Sequence, residues 1–209
     1  MASSTRRIRL LIVVWMTLMA GIAPGARLAY AAGYVVNSLS DTVANDSLCT
    51  LREAIQEANN GADTDCPGSP SASDDTITFS VNGTISLNAT LPNIVSGQGA
   101  LTIDGSGQNI AISGNNIVQV LVVNSTASLT LQSLAIRDGV ANTGAGVSNS
   151  GTLAVNYSTF AGNNATTNGG AIANNNTGVL TINNSIFSNN ISISGGGIFN
   201  DTGTVTISN

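Results

Sequence analysis

Three features predict an all-β fold: a strand pattern that returns at steps of 24, 27 and 25 residues, a second register that returns with it, and a short amphipathic helix ahead of both. The fold they predict is a right-handed parallel β-helix of about 25 residues per coil, closed at its N-terminus by a short capping α-helix. Handedness follows from the general preference for right-handed crossovers. The chain of 209 residues, 42% of them hydrophobic, can bury one sizeable core but hardly two. It divides into a leader (1–31), a capping region (32–72) with a helix at 51–59, and the solenoid (73–209).

The first register is carried by the alternating triplets that begin at Leu129, Leu153, Leu180 and Val205. Seven positions after the first three starts stand Ile136, Phe160 and Phe187. The second register is Val147, Ile172 and Ile198, each followed two positions later by an asparagine: Asn149, Asn174 and Asn200. Strands of adjacent coils pair at roughly 4.8 Å, so each apolar residue must sit beneath its copy and like must stack on like. Ile136, Phe160 and Phe187 are therefore one expected core stack, and Val147, Ile172 and Ile198 another. Glycine and asparagine tolerate the left-handed corners, and amides repeated once per coil can bond to each other. Asn149, Asn174 and Asn200 are the expected ladder. Less regular strands upstream, around Ile77, Ile85, Ile103 and Ile112, read as earlier coils.

The first coil of a solenoid needs a cover, because a bare end exposes core side chains and unpaired strand edges. Thr50 followed by Glu53 reads as a capping box, and Leu51, Ala54, Ile55 and Ala58 fall on one helical face. Asn60 and Gly61 end that helix, whose apolar face is expected to lie across the open end as a lid.

Ahead of these elements, Arg6, Arg7 and Arg9 precede an apolar run at 10–23, and Arg27 precedes a small-residue site at Ala29 and Ala31. This is the pattern of a secretory signal cleaved near Ala31 or Ala32, and the run is short for a membrane anchor. The mature chain then has no membrane-spanning segment and is exported, to the extracellular space, the cell surface or the outer membrane. In an exported chain, Cys49 and Cys66 pair as a structural disulfide. The alternative, a reactive or metal-binding pair, lacks any histidine or third cysteine to complete a zinc site.

Cleavage leaves only Arg52 and Arg137 against all 11 acidic residues, with no lysine or histidine. Such a chain repels phosphates, which excludes nucleic acid as a partner. No cofactor, metal or catalytic residue is expected.

The segment CTLREAIQEANNGADTDC, from Cys49 to Cys66, resembles the Cys-Ser-Leu-Arg-Glu-Ala motif in the N-terminal region of exported bacterial β-helix proteins, with Thr50 in place of the family serine. The tetrads FAGN at Phe160, FSNN at Phe187 and GGAI at Gly169 are similar to the repeats of polymorphic outer membrane proteins. The resemblance implies a surface-displayed or adhesin-like β-helix without catalytic residues, whose ligand is a surface glycan or protein. Those membrane proteins carry more repeats and a C-terminal barrel, so the resemblance also implies a chain truncated at its C-terminus, its anchor region missing.

The competing reading is a polysaccharide-degrading enzyme similar to pectate lyases, which use the same fold. Its candidate residues are Arg137, Asp138 and Asp104. Arg137 and Asp138 also read as a salt-bridged corner, and the column that starts at Asp104 continues as Gln132, Asn156, Asn183 and Ser208. Asp63, Asp65, Asp74 and Asp75 are a candidate calcium cluster, although the loop they occupy matches no calcium-binding signature. A threonine column at Thr102, Thr130, Thr181 and Thr206, broken by Ala154, raises ice binding. Its mixed neighbour column (Ala100, Ser128, Thr152, Val179 and Thr204) argues against it.

Overall fold

The computed structural model describes residues 33–61, 65–66 and 74–209. The expected leader (1–31) and Asp63 lie outside the described residues. The chain is an all-β solenoid of about 5 turns, with about 26 residues per turn and one short helix. Strand β1 (Gly33–Val36) precedes α1 (Leu51–Asn60), and the coil after it carries β2 (Asp75–Phe79) and β3 (Gly83–Ser86). The next holds β4 (Ala100–Asp104), β5 (Ile110–Ser113) and β6 (Leu121–Val123). Two coils of four strands follow. The first has β7 (Ser128–Gln132), β8 (Ala135–Arg137), β9 (Val140–Thr143) and β10 (Val147–Asn149). The second has β11 (Thr152–Asn156), β12 (Thr159–Ala161), β13 (Asn164–Asn168) and β14 (Ile172–Asn174). After them come β15 (Val179–Asn183), β16 (Ile186–Ser188), β17 (Ile198–Asn200) and β18 (Thr204–Ser208).

Every strand pair is parallel, and equivalent strands of successive coils stack into four sheets. The largest runs β1-β2-β4-β7-β11-β15-β18, the second β3-β5-β8-β12-β16, and the third β6-β10-β14-β17. Register keeps like above like: Phe160 is paired with Ile136 on one side and Phe187 on the other, and Ile172 with Val147 and Ile198. The rings of Phe160 and Phe187 stack with centroids 5.1 Å apart and planes 5° from parallel. Phe160 is fully buried, whereas Phe187 and Ile198 are half-buried against the core.

Two strand features go beyond the sequence reading. Residues 33–36, assigned to the capping region, form β1 and pair in register with β2 as the first rung of the largest sheet. The central coils also carry a fourth strand, β9 or β13, that neither repeating register marks. Their residues are mostly small and polar, so no apolar alternation betrays them.

The helix begins at Thr50, whose hydroxyl accepts from the Glu53 N–H while the Glu53 carboxylate accepts from the Thr50 N–H. Both orphan donors are thereby satisfied. It ends one residue later than the sequence suggests, at Asn60, with Gly61 in the left-handed conformation and its N–H bonded to the Glu57 carbonyl. The side chains of Leu51, Ala54, Ile55 and Ala58 are buried and join the solenoid core, and α1 packs on β1 and β2. The Cys49–Cys66 disulfide is formed, with its Cα atoms 4.8 Å apart. No helix among the described residues is long and apolar enough to cross a membrane.

Candidate functional site

The residues of the Cys-Thr-Leu-Arg-Glu-Ala segment all have structural employment. Cys49 is bridged, Thr50 and Glu53 cap the helix, and Leu51 and Ala54 enter the core. Arg52, the arginine of that segment, is the cross-brace. Its guanidinium makes a two-pronged pair with Asp41, at 2.8 Å from Nε and 3.0 Å from Nη2. It also donates to the carbonyls of Ala89 (2.6 Å) and Thr90 (2.9 Å) in the first full coil. Asp41 is almost fully buried and also accepts from the Asn88 N–H. This network locks the cap onto the coil above it, and Asn59 adds a bond to the Asn93 carbonyl.

Inside the solenoid, Asn149 Nδ2 donates to Asn174 Oδ1 and Asn174 Nδ2 donates to Asn200 Oδ1, each at 2.7 Å. Asn149 and Asn174 are fully buried, while Asn200 is exposed. The remaining amide capacity serves the turn that follows each strand: Asn149 Oδ1 accepts from the Gly151 N–H and Asn174 Nδ2 donates to the Gly178 carbonyl. A second ladder runs along the Phe-x-x-Asn tetrads, with Asn163 Nδ2 donating to Asn190 Oδ1 at 3.0 Å and to the Ile136 carbonyl at 3.1 Å. The tetrads displayed both asparagines, and only the fold reveals that they turn inward. Buried amides must be bonded, and here they replace backbone partners at the corners.

Of the candidate catalytic residues, Arg137 and Asp138 pair with each other and Asp104 stands apart. Arg137 Nη1 lies 2.7 Å from Asp138 Oδ2, and its Nη2 donates to the Thr84 hydroxyl. Asp138 Oδ2 also accepts from Ser113. Asp104 sits on another sheet, its carboxylate accepting from the Ser106 N–H in a tight turn. The column above it is Gln132, Asn156, Asn183 and Ser208, in unbroken register. Asn183 donates to Asn156 within this column at 2.8 Å. The column carries one carboxylate and no partner acid, short of the pair a glycosidase uses.

The aspartates of the capping loop bond to backbone: Asp65 accepts from the Asp46 N–H and Asp74 from the Ala100 N–H. Asp75 is a buried residue of β2. Among the described residues no group of three or more His, Cys, Asp or Glu is placed to hold a metal ion.

The outer face of the largest sheet carries three columns, led by Ala100, Thr102 and Asp104 and uncharged in the coils after Asp104. At its border with the second sheet each coil turns through one left-handed residue: Ser133, Tyr157 or Asn184. Tyr157 is 65% exposed beside a groove of about 220 Å³. Nothing in the sequence marks it, because a single tyrosine carries no periodic signal.

Geometry and composition together define a class: a disulfide-capped parallel β-helix with amide ladders inside and an outer face of few charges. No protein-family model, curated protein or solved structure matches the chain.

Proposed function

We propose that this chain is a non-catalytic, exported β-helix module with an adhesin-like structural and binding role, outside the cell or at its surface. The observation that carries the reading is the Asp104 column, where the coils after Asp104 contribute Gln132, Asn156, Asn183 and Ser208 in register. A cleft for uronate or glycoside chemistry gathers acids and a cationic base from adjacent coils. Arg137, the one cation among the described solenoid residues, is spent on Asp138 and Thr84. The resemblance of residues 49–66 to the Cys-Ser-Leu-Arg-Glu-Ala region supports the same reading, since in this chain that motif braces a cap. A disulfide is compatible with an oxidising, extracytoplasmic location.

Two measurements test the proposal. Fractionation of the producing cell, with intact mass, is expected to find the chain in the envelope or the medium with its leader removed; retention in the cytoplasm with the leader attached overturns export. Incubation with polygalacturonate is expected to yield no cleavage. Cleavage that disappears in Arg137→Ala would falsify the non-catalytic assignment.

A further inference from the structure

The groove beside Tyr157 crosses three successive coils where the largest sheet meets the second. Its lining is Asn109 and Ile110 from one coil, Ser133, Leu134 and Ala135 from the next, and Tyr157 and Thr159 from the third. Three coils at roughly 4.8 Å per step span the reach of a disaccharide. Its volume of about 220 Å³ lies below the roughly 300–1,000 Å³ of sites that engulf a whole drug-sized ligand, so it suits one ring of a longer molecule.

The lining has a definite chemistry. None of the seven residues is charged, which leaves nothing to compensate a carboxylate, sulfate or phosphate on the ligand. Ile110 and Leu134 form a buried apolar floor. Asn109 and Tyr157 are exposed and Thr159 is half-buried, so the polar ends of these three side chains border the groove around an apolar floor. The Tyr157 ring is a rigid amphipathic wall of the kind enriched in binding surfaces.

The backbone makes this tyrosine conspicuous. Equivalent corners of the neighbouring coils use Ser133 (φ 54°) and Asn184 (φ 48°), and Tyr157 adopts φ 50° at the same station. Asparagine tolerates that conformation, whereas a bulky side chain there is an outlier that folding alone does not select. Strain held at an exposed position points to use.

We propose that this groove is a subsite for one uncharged pyranose ring of a glycan, the apolar face of the sugar stacking on Tyr157 while Asn109 and Thr159 bond its hydroxyls. The inference rests on the binding-module reading above and narrows its ligand to neutral saccharide.

The test is an NMR titration of the purified protein with cellohexaose, maltohexaose and chitohexaose, with hexagalacturonate as the charged probe. Saturable shifts at residues 109–110, 133–135 and 157–159 with at least one neutral probe, and none with hexagalacturonate, are expected. Tyr157→Asn keeps a residue suited to the corner, so it is expected to melt no lower than the parent and to weaken binding by about tenfold or more. Tyr157→Phe keeps the ring and is expected to lose less. The inference is overturned if no neutral probe shifts those residues, if Tyr157→Asn binds as well as the parent, or if hexagalacturonate binds equally. Cleavage of a probe bound at these residues supports the subsite and overturns only the non-catalytic assignment.

Discussion

Asn149 donates to Asn174 across one coil at 2.7 Å, with both side chains fully buried. Asn174 passes the pattern on to Asn200 and also bonds the Gly178 carbonyl. Removing the central amide takes the shortest of its acceptors from Asn149 Nδ2 and the donor from the Asn200 oxygen and the Gly178 carbonyl. Asn174→Ala is expected to lower unfolding free energy by about 3 kcal/mol in urea titration. Asn174→Asp replaces the donor with a carboxylate facing the Asn200 oxygen. Its burial raises that carboxyl's pKa, so the folded state holds the proton more tightly and the variant is expected to gain stability as pH falls. A variant as stable as the parent at neutral pH would sink the structural role of the ladder.

The two arginines of the described chain differ in burial and therefore in worth. Arg52→Ala leaves Asp41 buried without its cation and releases two carbonyls, so a loss of about 3–5 kcal/mol is expected. Arg137 is 40% exposed in its pair, and Arg137→Ala is expected to change stability by less than about 1 kcal/mol. Equal losses in the two variants would contradict this assignment.

The disulfide joins residues 17 apart in sequence around the helix. In the chain-entropy model such a loop contributes about 3 kcal/mol. Replacing Cys49 and Cys66 together by serine should lower the denaturant midpoint accordingly. An unchanged midpoint would show that the cap is held by packing and the Arg52 network alone.

Ile55 is fully buried between α1 and the end of the core. A charge there has no partner and no water, so Ile55→Asp is expected to unfold or aggregate the protein. Ile55→Ala is the milder form, with an expected loss of about 2–5 kcal/mol. A soluble Ile55→Asp variant with parental melting would remove the lid from the description.

Tyr34 is fully buried on β1, its hydroxyl without a hydrogen-bond partner among the described residues. Burial first, then Asp75 and Glu57, push its pKa up from 10.0 to about 12. The folded state therefore holds the phenolic proton more tightly than the unfolded chain does. Stability is complete below about pH 10 and is expected to decline as pH rises toward about 12. Tyr34→Phe should abolish that slope without lowering stability at neutral pH, because it removes an unsatisfied hydroxyl while keeping the ring. Alkaline melts of the two proteins decide it.

The coil period and the stacking partners were legible because a parallel β-helix forces equivalence between residues about 26 apart. A strand that must pair with its own copy repeats its chemistry, and Phe160 over Phe187 is the visible result. The capping helix was legible for a local reason, since Thr50 and Glu53 serve each other within one turn. Strands β9 and β13 left no trace, because small polar residues in a strand resemble those of a loop. Arg52 was equally silent, its partners Ala89 and Thr90 lying 37 and 38 residues away with nothing in their own identity to mark them.

By itself, the sequence determined which apolar residues point inward and which copies stack, since both are consequences of short-range alternation and period. Beyond the Thr50–Glu53 capping box and the ladder of Asn149, Asn174 and Asn200, only the tertiary structure decided what the polar residues do. An asparagine reads alike in a ladder, a corner or an open face, and Asn163, Asn184 and Asn109 occupy those three places in turn. The difference is set by which backbone carbonyls and neighbouring coils surround each amide, and by how much water reaches it. Those quantities arise when coils are superposed, and they make Tyr157 the wall of a groove rather than one tyrosine among three.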